Sequence, residues 1–218
     1  EMDDYSIESL RRANAAIESG AFDGEVVPVT IVTRKGETTV EHDEAPSKGK
    51  PDKIPQLRPA FAKDGTITAA TSSSISDGAA AVVLSRESVA KENGQTPVAK
   101  IVGLAAHAQE PSKFTVAPIG AIEKLLEQTG WSAEDVDLWE VNEAFACVAM
   151  FAMRDIGIPH DKINVNGGGT ALGHPIGASG TRIIVTLLNA LKQQGKKRGI
   201  ASLCIGGGEA TAVAVEMV

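Results

Sequence analysis

The sequence has few of the residues that mark several large classes of protein. Only two cysteines occur among 218 residues, and Cys147 and Cys204 lie in apolar runs without CxxC spacing. Neither a disulfide framework nor a metal site is therefore predicted. The given residues contain no run of about 18 apolar residues and no charged leader followed by an apolar segment, so we expect neither a membrane span nor an export signal. We expect a cytoplasmic protein that contacts no membrane.

Positive charge is also scarce. The chain has 21 Lys and Arg against 28 Asp and Glu, which gives a net charge of −7 and argues against a nucleic-acid partner. The composition is 43% hydrophobic and 22% charged, as in globular proteins, and the length allows one or two domains with a sizeable core.

Helical and strand-like patterns alternate along most of the chain. Residues 1–22 predict a helix with Ile7, Leu10, Asn14 and Ile17 on its buried face, and residues 25–41 predict a hairpin that turns at Lys35-Gly36. Further strands are predicted at 66–71, 97–108, 137–142, 162–166, 199–205 and 210–218. Helices are predicted from Pro118, at 143–156 and at 179–194. Such alternation indicates an α/β domain with a sheet between helices.

One long segment has no clear period. Residues 41–65 contain four prolines and many charges, which suggests a functional loop or lid. Lys48, Lys50, Lys53 and Arg58 lie within it. These basic side chains either form a solvated surface or bind a phosphorylated ligand.

Three polar residues each close a predicted strand. His174 lies in the glycine-rich stretch "NVNGGGTALGHPIGASGTR", which has neither the Rossmann nor the phosphate-loop glycine spacing. Its ring is either structural or part of a site. Cys204 precedes three glycines and reads as a nucleophile, an acid/base group or a buried apolar residue, and Asn142 reads as a site residue or a helix N-cap.

Several segments, taken together, resemble the thiolase family. "VNEAFA" at 141–146, the glycine-rich stretch at 164–182 and "CIGGGEATAVAVE" at 204–216 are similar to its three C-terminal motifs, in order. "RPAFAKDGTITAATSSSISDGAAAVVL" at 58–84 is also similar. The resemblance implies a layered αβαβα α/β fold, of which this chain is the C-terminal half with a mixed sheet covered by helices. It places part of a coenzyme A-binding loop domain at 1–75, the closing segment of the N-terminal domain at 76–95 and the C-terminal domain at 96–218.

The resemblance implies reversible Claisen chemistry on coenzyme A thioesters, either condensation of two acetyl-CoA or thiolysis of 3-ketoacyl-CoA in fatty acid metabolism. His174 matches the histidine that activates a nucleophilic cysteine and forms an oxyanion hole with a water held by Asn142. Cys204 matches the acid/base cysteine. The amide of Gly206 matches a donor of a second oxyanion hole.

The resemblance also implies how substrate is bound. Ser73, Ala144 and Phe145 match positions along the pantetheine channel, and Lys48 lies near a position that contacts the adenine. Acetyl-CoA or acyl-CoA is implied as substrate, and neither a cofactor nor a metal is implied.

The resemblance corrects the interpretation of Cys204 as a nucleophile. In thiolases the acylated cysteine lies in the N-terminal half, ahead of the part matched here, and Cys147 matches no catalytic position. We therefore expect a missing N-terminal thiolase segment as partner, and a homo-oligomer, dimer or tetramer. The competing hypothesis is a non-catalytic subunit that binds coenzyme A or an acyl group, or acts in assembly.

Overall fold

The computed structural model describes residues 1–218. Seven helices are present: α1 Met2–Glu18, α2 Glu44–Lys48, α3 Glu87–Glu92, α4 Ala117–Thr129, α5 Ala146–Ile156, α6 Gly169–Leu172 and α7 Ser179–Gln193. Six strands are present: β1 Val29–Thr33, β2 Gly36–Val40, β3 Ala99–Ala108, β4 Leu138–Val141, β5 Arg198–Ile205 and β6 Glu209–Met217. Short 3₁₀ turns cover Pro51–Gln56, Pro111–Val116, Ala133–Asp135 and His160–Lys162.

Helix ends follow the local signals in the sequence. Helix α4 has Pro118 in its first turn, where a missing backbone N–H costs nothing, and it ends at Gly130 with φ of 70°. Helix α5 ends in the same way at Gly157, with φ of 81°. Both glycines take the left-handed conformation that commonly closes a helix, so α4 and α5 end where predicted.

A four-stranded mixed sheet organises the C-terminal part. Its strand order is β3-β6-β5-β4, with β4 and β5 parallel and the other pairs antiparallel. Residues of α4 and α5 pack on one face of the sheet around Trp139 and Ile200, and α7 packs on the other face around Leu138 and Ala201. This arrangement confirms the predicted mixed sheet covered by helices.

Helix α1 packs beside α6 rather than on the sheet. Its buried residues are Tyr5, Ser6, Ser9, Leu10, Ala13 and Ala16. Of the predicted face, Leu10 is buried but Ile7, Asn14 and Ile17 are only partly buried, so that prediction was displaced by about one residue position. Serine and alanine replace large apolar residues here because α1 comes very close to the glycine-rich stretch.

Two predicted strands are wrong. Residues 162–166 make only an isolated parallel bridge, between Trp139 and Ile163, because Asn164 turns the backbone with φ of 46°. Its side-chain amide instead accepts from Val141 N and donates to Val141 O, both at 2.9 Å, so it continues the pairing of β4 with a side chain. Residues 66–71 likewise make only an isolated bridge, between Pro59 and Thr68.

The predicted hairpin is confirmed, but its turn lies at Arg34-Lys35 and not at the predicted Lys35-Gly36, because Gly36 pairs with Thr33 as the first residue of β2. All ten residues of β1 and β2 are exposed. In residues 41–65, α2 and the Pro51–Gln56 turn are the regular elements. None of the helices combines the length and the apolar character needed to cross a membrane.

Candidate active site

Asn142 and His174 meet side by side. Asn142 Nδ2 lies 3.3 Å from His174 Nε2, although the two residues are 32 positions apart. Asn142 is 1% exposed, and its Oδ1 has no hydrogen-bond partner. A buried amide oxygen without a partner is costly, so it is a natural place for a water or a substrate group. The pair predicted from the sequence is therefore assembled.

A second contact fixes the other edge of the imidazole. Ser179 Oγ lies 2.5 Å from His174 Nδ1 and donates its own proton to Pro175 O at 3.1 Å. The arrangement is consistent with Nδ1 carrying the proton and donating to Ser179 Oγ, which leaves Nε2 as a proton acceptor. Burial, and secondarily the positive charge of Arg182, lower the pKa of His174 below its ordinary value, so the ring is neutral at neutral pH.

The backbone holds both residues. Asn142 follows β4, and its N–H donates to Ser202 O at 2.9 Å. It is not a helix N-cap, since α5 begins at Ala146 with Phe145 in the capping position. His174 follows the short helix α6 rather than a strand, and its N–H donates to Ser74 O at 3.0 Å. The expectation that His174 closes a strand was therefore wrong.

The glycines before His174 make room for protein atoms. A Cβ at Gly167 would lie 2.7 Å from Ser9 O and 2.8 Å from Ala13 Cβ. A Cβ at Gly168 or Gly169 would collide with Glu143. The glycine run thus lets α1 and Glu143 approach this backbone closely, and its density is explained by packing rather than by a phosphate or a thioester.

Cys204 lies near the end of β5, two residues beyond Ser202, which pairs with the start of the Asn142 segment. Its side chain is 7% exposed and packs with Val141 and Ala210. Burial is the main cause that raises the pKa of the Cys204 thiol to about 11, opposed by a backbone hydrogen bond. The resting group is a thiol, and its thiolate would be a strong base.

Gly206 begins the turn between β5 and β6. It is exposed, and a Cβ there would meet open space, so its amide lies at an accessible rim. Gly208 is different, because its φ of 97° and the nearby Gln109 and Glu110 backbone leave no room for a side chain. The turn therefore combines one structural glycine with one open glycine.

The residues predicted to line the pantetheine channel also come together. Ser73 donates to Ala144 O through its hydroxyl at 3.0 Å and its backbone N–H at 3.1 Å. Phe145 contacts two other aromatic rings, Phe61 at 6.0 Å and Phe114 at 6.1 Å between centroids. Phe61 is 73% exposed, so this cluster presents apolar surface beside Asn142.

Lys48 was predicted as a binding residue, whereas Cys147 was not predicted to belong to the site. Lys48 is exposed at the end of α2 and is paired with Glu44 one helical turn away. Cys147 lies in the first turn of α5, and burial raises the pKa of its thiol. Neither has a contact that assigns it a role in the site.

Sequence reasoning missed three ionisable residues near the site, Glu140, Glu143 and Arg182. Glu143 is fully buried and accepts hydrogen bonds from Ser9 of α1 and from Thr170 of the glycine stretch. Glu140 is 2% exposed and lies 3.3 Å from Arg182 Nη1. Burial raises the pKa of Glu140 to about 8, and Arg182 opposes that shift. Glu140 could have been found from the sequence. Leu138, Glu140 and Asn142 lie at every second position along β4 and just beyond it, so their side chains are expected on the same face of the sheet.

Comparisons with known proteins cover the whole chain. A family model described as "Thiolase, C-terminal domain" matches residues 95–217, and "Thiolase, N-terminal domain" matches residues 1–88. The "Acetyl-CoA acetyltransferase" of Yarrowia lipolytica is 49% identical over 218 residues, 100% of this chain and 54% of that protein. That of Escherichia coli is 46% identical over 215 residues, 98% of this chain and 55% of that protein.

Solved structures give the same result. The Bacillus anthracis acetyl-CoA acetyltransferase aligns with a TM-score of 0.97 at 44% identity, and the Ascaris suum Acat5 thiolase in complex with coenzyme A aligns with a TM-score of 0.93 at 45% identity. Each alignment covers 100% of this chain and 55% of the other. The chain spans little more than half the length of these relatives. With its fold, its motifs and its two family-model matches in agreement, the chain belongs to the thiolase family.

Proposed function

We propose that this chain supplies one half of an acyltransferase site that interconverts two acetyl-CoA with acetoacetyl-CoA and coenzyme A, or cleaves 3-ketoacyl-CoA. The observation that carries the proposal is the contact of Asn142 Nδ2 with His174 Nε2. The imidazole is oriented by the contact of its Nδ1 with Ser179 Oγ. A histidine and an amide held side by side can take a proton and then donate hydrogen bonds to an oxyanion.

In this proposal His174 accepts the proton of a cysteine thiol supplied by the N-terminal segment. The resulting thiolate attacks the thioester carbonyl, and the carbonyl oxygen becomes negative. Protonated His174, together with a water held by Asn142, donates to that oxygen. The lowered pKa of His174 supports the first step, because a neutral ring is a competent base at neutral pH.

In the second part of the proposed reaction, Cys204 first donates and then accepts a proton. Coenzyme A departs as a thiolate and takes a proton from Cys204. Cys204 is thereby left as a thiolate. This thiolate removes the α-proton of a second acyl-CoA, and the resulting enolate carbon attacks the carbonyl carbon of the acyl group. The bond from that carbon to the cysteine sulfur breaks, and the freed cysteine thiolate recovers its proton from His174. The pKa of about 11 supports this order, since a thiolate formed in that environment is a strong base. The amide of Gly206 would donate to the enolate oxygen.

Substrate binding is proposed for the surface next to the pair. Ser73, Ala144 and Phe145 adjoin Asn142 and would contact the pantetheine arm, while Lys48 and the basic side chains of residues 48–58 would face the nucleotide end. The relatives solved with coenzyme A support an acyl-CoA ligand. The domain boundaries at 75 and 95, the cytoplasmic location and the dimer or tetramer stay predictions.

An uncovered surface supports a missing N-terminal segment. Residues 78–86 belong to no helix and no strand, and Val83 and Leu84 are 93% and 73% exposed. The chain exposes 12394 Å², whereas a folded monomer of its mass exposes roughly 9500 Å². An apolar groove also lies beside α7. It is lined by Leu104, Ile183, Ile184, Leu203 and Val213, among others.

The test is co-expression of this chain with a thiolase N-terminal segment. We expect coenzyme A-dependent cleavage of acetoacetyl-CoA by the assembled protein and none by either part alone, with His174→Ala as an inactive control. An intact Asn142–His174 pair favours this enzyme over a non-catalytic subunit. Assembly without cleavage would support the subunit, and turnover by this chain alone would contradict the division of the site.

A further inference from the structure

One buried carboxylate lies between the two backbone segments that carry the candidate site. Glu143 immediately follows Asn142 in the chain, and its carboxylate reaches Thr170, four residues before His174. Thr170 donates to Glu143 Oε2 with its hydroxyl at 2.7 Å and with its backbone N–H at 3.1 Å. The same side chain is thus tied to the Asn142 segment by covalent bonds and to the His174 segment by hydrogen bonds.

Helix α1 completes the environment of this carboxylate. Tyr5 donates to Glu143 Oε1 at 2.8 Å, and Asn164 Nδ2 donates to the same oxygen at 2.9 Å. Ser9 donates to Oε2 at 2.8 Å. Five donors therefore surround a side chain that has no exposed surface. Because both carboxyl oxygens accept at least two hydrogen bonds, the network holds Glu143 in one position.

Ser9 has a second contact that joins α1 to the glycine stretch directly. Its Oγ accepts from Gly168 N at 3.0 Å while it donates to Glu143. Gly167 packs on Ser9 O and Ala13, and Gly168 packs on Glu143, at distances that exclude a side chain. The glycine stretch is thereby clamped between α1 and Glu143.

We propose that Glu143 and Ser9 are positioning residues, which hold Asn142 and His174 at their mutual distance through the clamped backbone of residues 167–170. Neither side chain touches the imidazole, so both act through the backbone. The inference rests on the proposed function for its kinetic consequence, but the placement of His174 can be measured without turnover.

The chain contains a matched pair of buried serines for the test. Ser6 and Ser9 both lie on α1, with 3% and 4% exposure, but Ser6 Oγ has no hydrogen-bond partner. Ser6→Ala therefore removes a buried hydroxyl that makes no bond, whereas Ser9→Ala removes one that makes two. Glu143→Gln is the direct variant, since it keeps the shape but places an amide N–H₂ against hydrogen-bond donors.

The experiment measures cleavage of acetoacetyl-CoA by the protein assembled with its N-terminal segment, well below the melting temperature. We expect Ser9→Ala to lower kcat by about 10-fold or more, with KM changed by less than about threefold, because displacement of a catalytic group affects the chemical step most. Ser6→Ala should leave both constants within about twofold. Equal kcat values for the two alanine variants would overturn the proposal.

An NMR measurement separates this inference from the proposed function. The ¹⁵N resonances of the His174 imidazole, followed through a pH titration of the chain, should change in Ser9→Ala and in Glu143→Gln and stay unchanged in Ser6→Ala. A merely structural role would lower the melting temperature and leave the His174 titration as it was, which would overturn the inference. If the assembled protein cleaves no substrate, this titration still decides whether Ser9 and Glu143 position His174.

Discussion

At the scale of single residues, the protonation state of His174 decides what the site can do. Ser179 orients the imidazole through Nδ1, and Asn142 lies against Nε2. Burial and the charge of Arg182 disfavour the imidazolium, so the pKa of His174 is lowered. Nε2 is then free to accept a proton over the neutral pH range.

The pH dependence of kcat/KM tests this state. Since a base must be neutral to work, activity of the assembled protein should fall as the pH drops through the pKa of His174, and the midpoint should lie below the ordinary imidazole value of 6.5. Initial rates of acetoacetyl-CoA cleavage at a series of pH values give the midpoint. A midpoint above 6.5 would show that the charged ring is stabilised instead.

The sequence predicts which residues are candidates for chemistry better than it predicts the contacts that surround them. Asn142, His174 and Cys204 were singled out as candidate site residues because each follows a strand-like or glycine-rich pattern. Glu143 and Ser9 were not, because their importance depends on contacts across 134 positions of sequence. No local sequence pattern indicates that α1 packs on the glycine stretch. Because two of the buried residues of α1 are serines, the pattern of apolar residues predicted its buried face incorrectly.

At the scale of secondary-structure elements, β4 and α7 are joined by the buried pair of Glu140 and Arg182. Burial is the main cause that raises the pKa of Glu140 to about 8, with Arg182 acting against it. The folded chain therefore keeps this proton up to about pH 8, whereas the unfolded chain releases it near 4.5. The stability that this group contributes is fully present below that lower value and is lost as the pH rises towards 8.

Glu140→Gln should remove this decline, because glutamine stays neutral at every pH. Between pH 5 and 8 the free energy of unfolding of the variant should rise relative to the unaltered chain by on the order of 1–3 kcal/mol. Urea denaturation at several pH values measures the difference. Parallel stability curves would contradict the assignment.

The turn between β5 and β6 gives a comparison of two glycines. Gly208 has φ of 97° and faces the Gln109 and Glu110 backbone, whereas Gly206 faces open space. We expect Gly208→Ala to lower the free energy of unfolding by about 2–4 kcal/mol. Gly206→Ala, the matched control, should change it by less than about 0.5 kcal/mol. Urea denaturation of both variants is the measurement, and equal losses would show that the turn is not as described.

Element ends were predictable where a local signal exists, as at the Gly130 and Gly157 helix ends, whereas the hairpin turn was predicted one residue too late. The strand at 162–166 failed for a physical reason. Its alternation is real, but Asn164 pairs with β4 through its side chain, and the backbone then turns away. Propensity alone cannot distinguish a paired strand from a side chain that imitates one.

At the scale of the whole molecule, the exposed apolar surface supports the proposed partner segment. Without that segment, we expect the chain to self-associate in sedimentation experiments, because Val83 and Leu84 expose apolar surface on a stretch that belongs to no helix or strand. Val83→Asp combined with Leu84→Asp should reduce this association. Ser85→Asp adds charge to the same segment without removing apolar surface. If Ser85→Asp reduced association equally, charge rather than apolar contact would be the cause.

The central claim is that this chain supplies His174 for acylation and Cys204 for the later proton transfer. Single-turnover mass spectrometry of the assembled protein, mixed with acetyl-CoA, tests it most directly by following acetylation of the N-terminal cysteine. The account predicts slow acetylation in His174→Asn, whereas Cys204→Ser, whose hydroxyl can still donate a proton to the departing coenzyme A, becomes acetylated but forms no acetoacetyl-CoA. Acetylation of His174→Asn at the unaltered rate would contradict it.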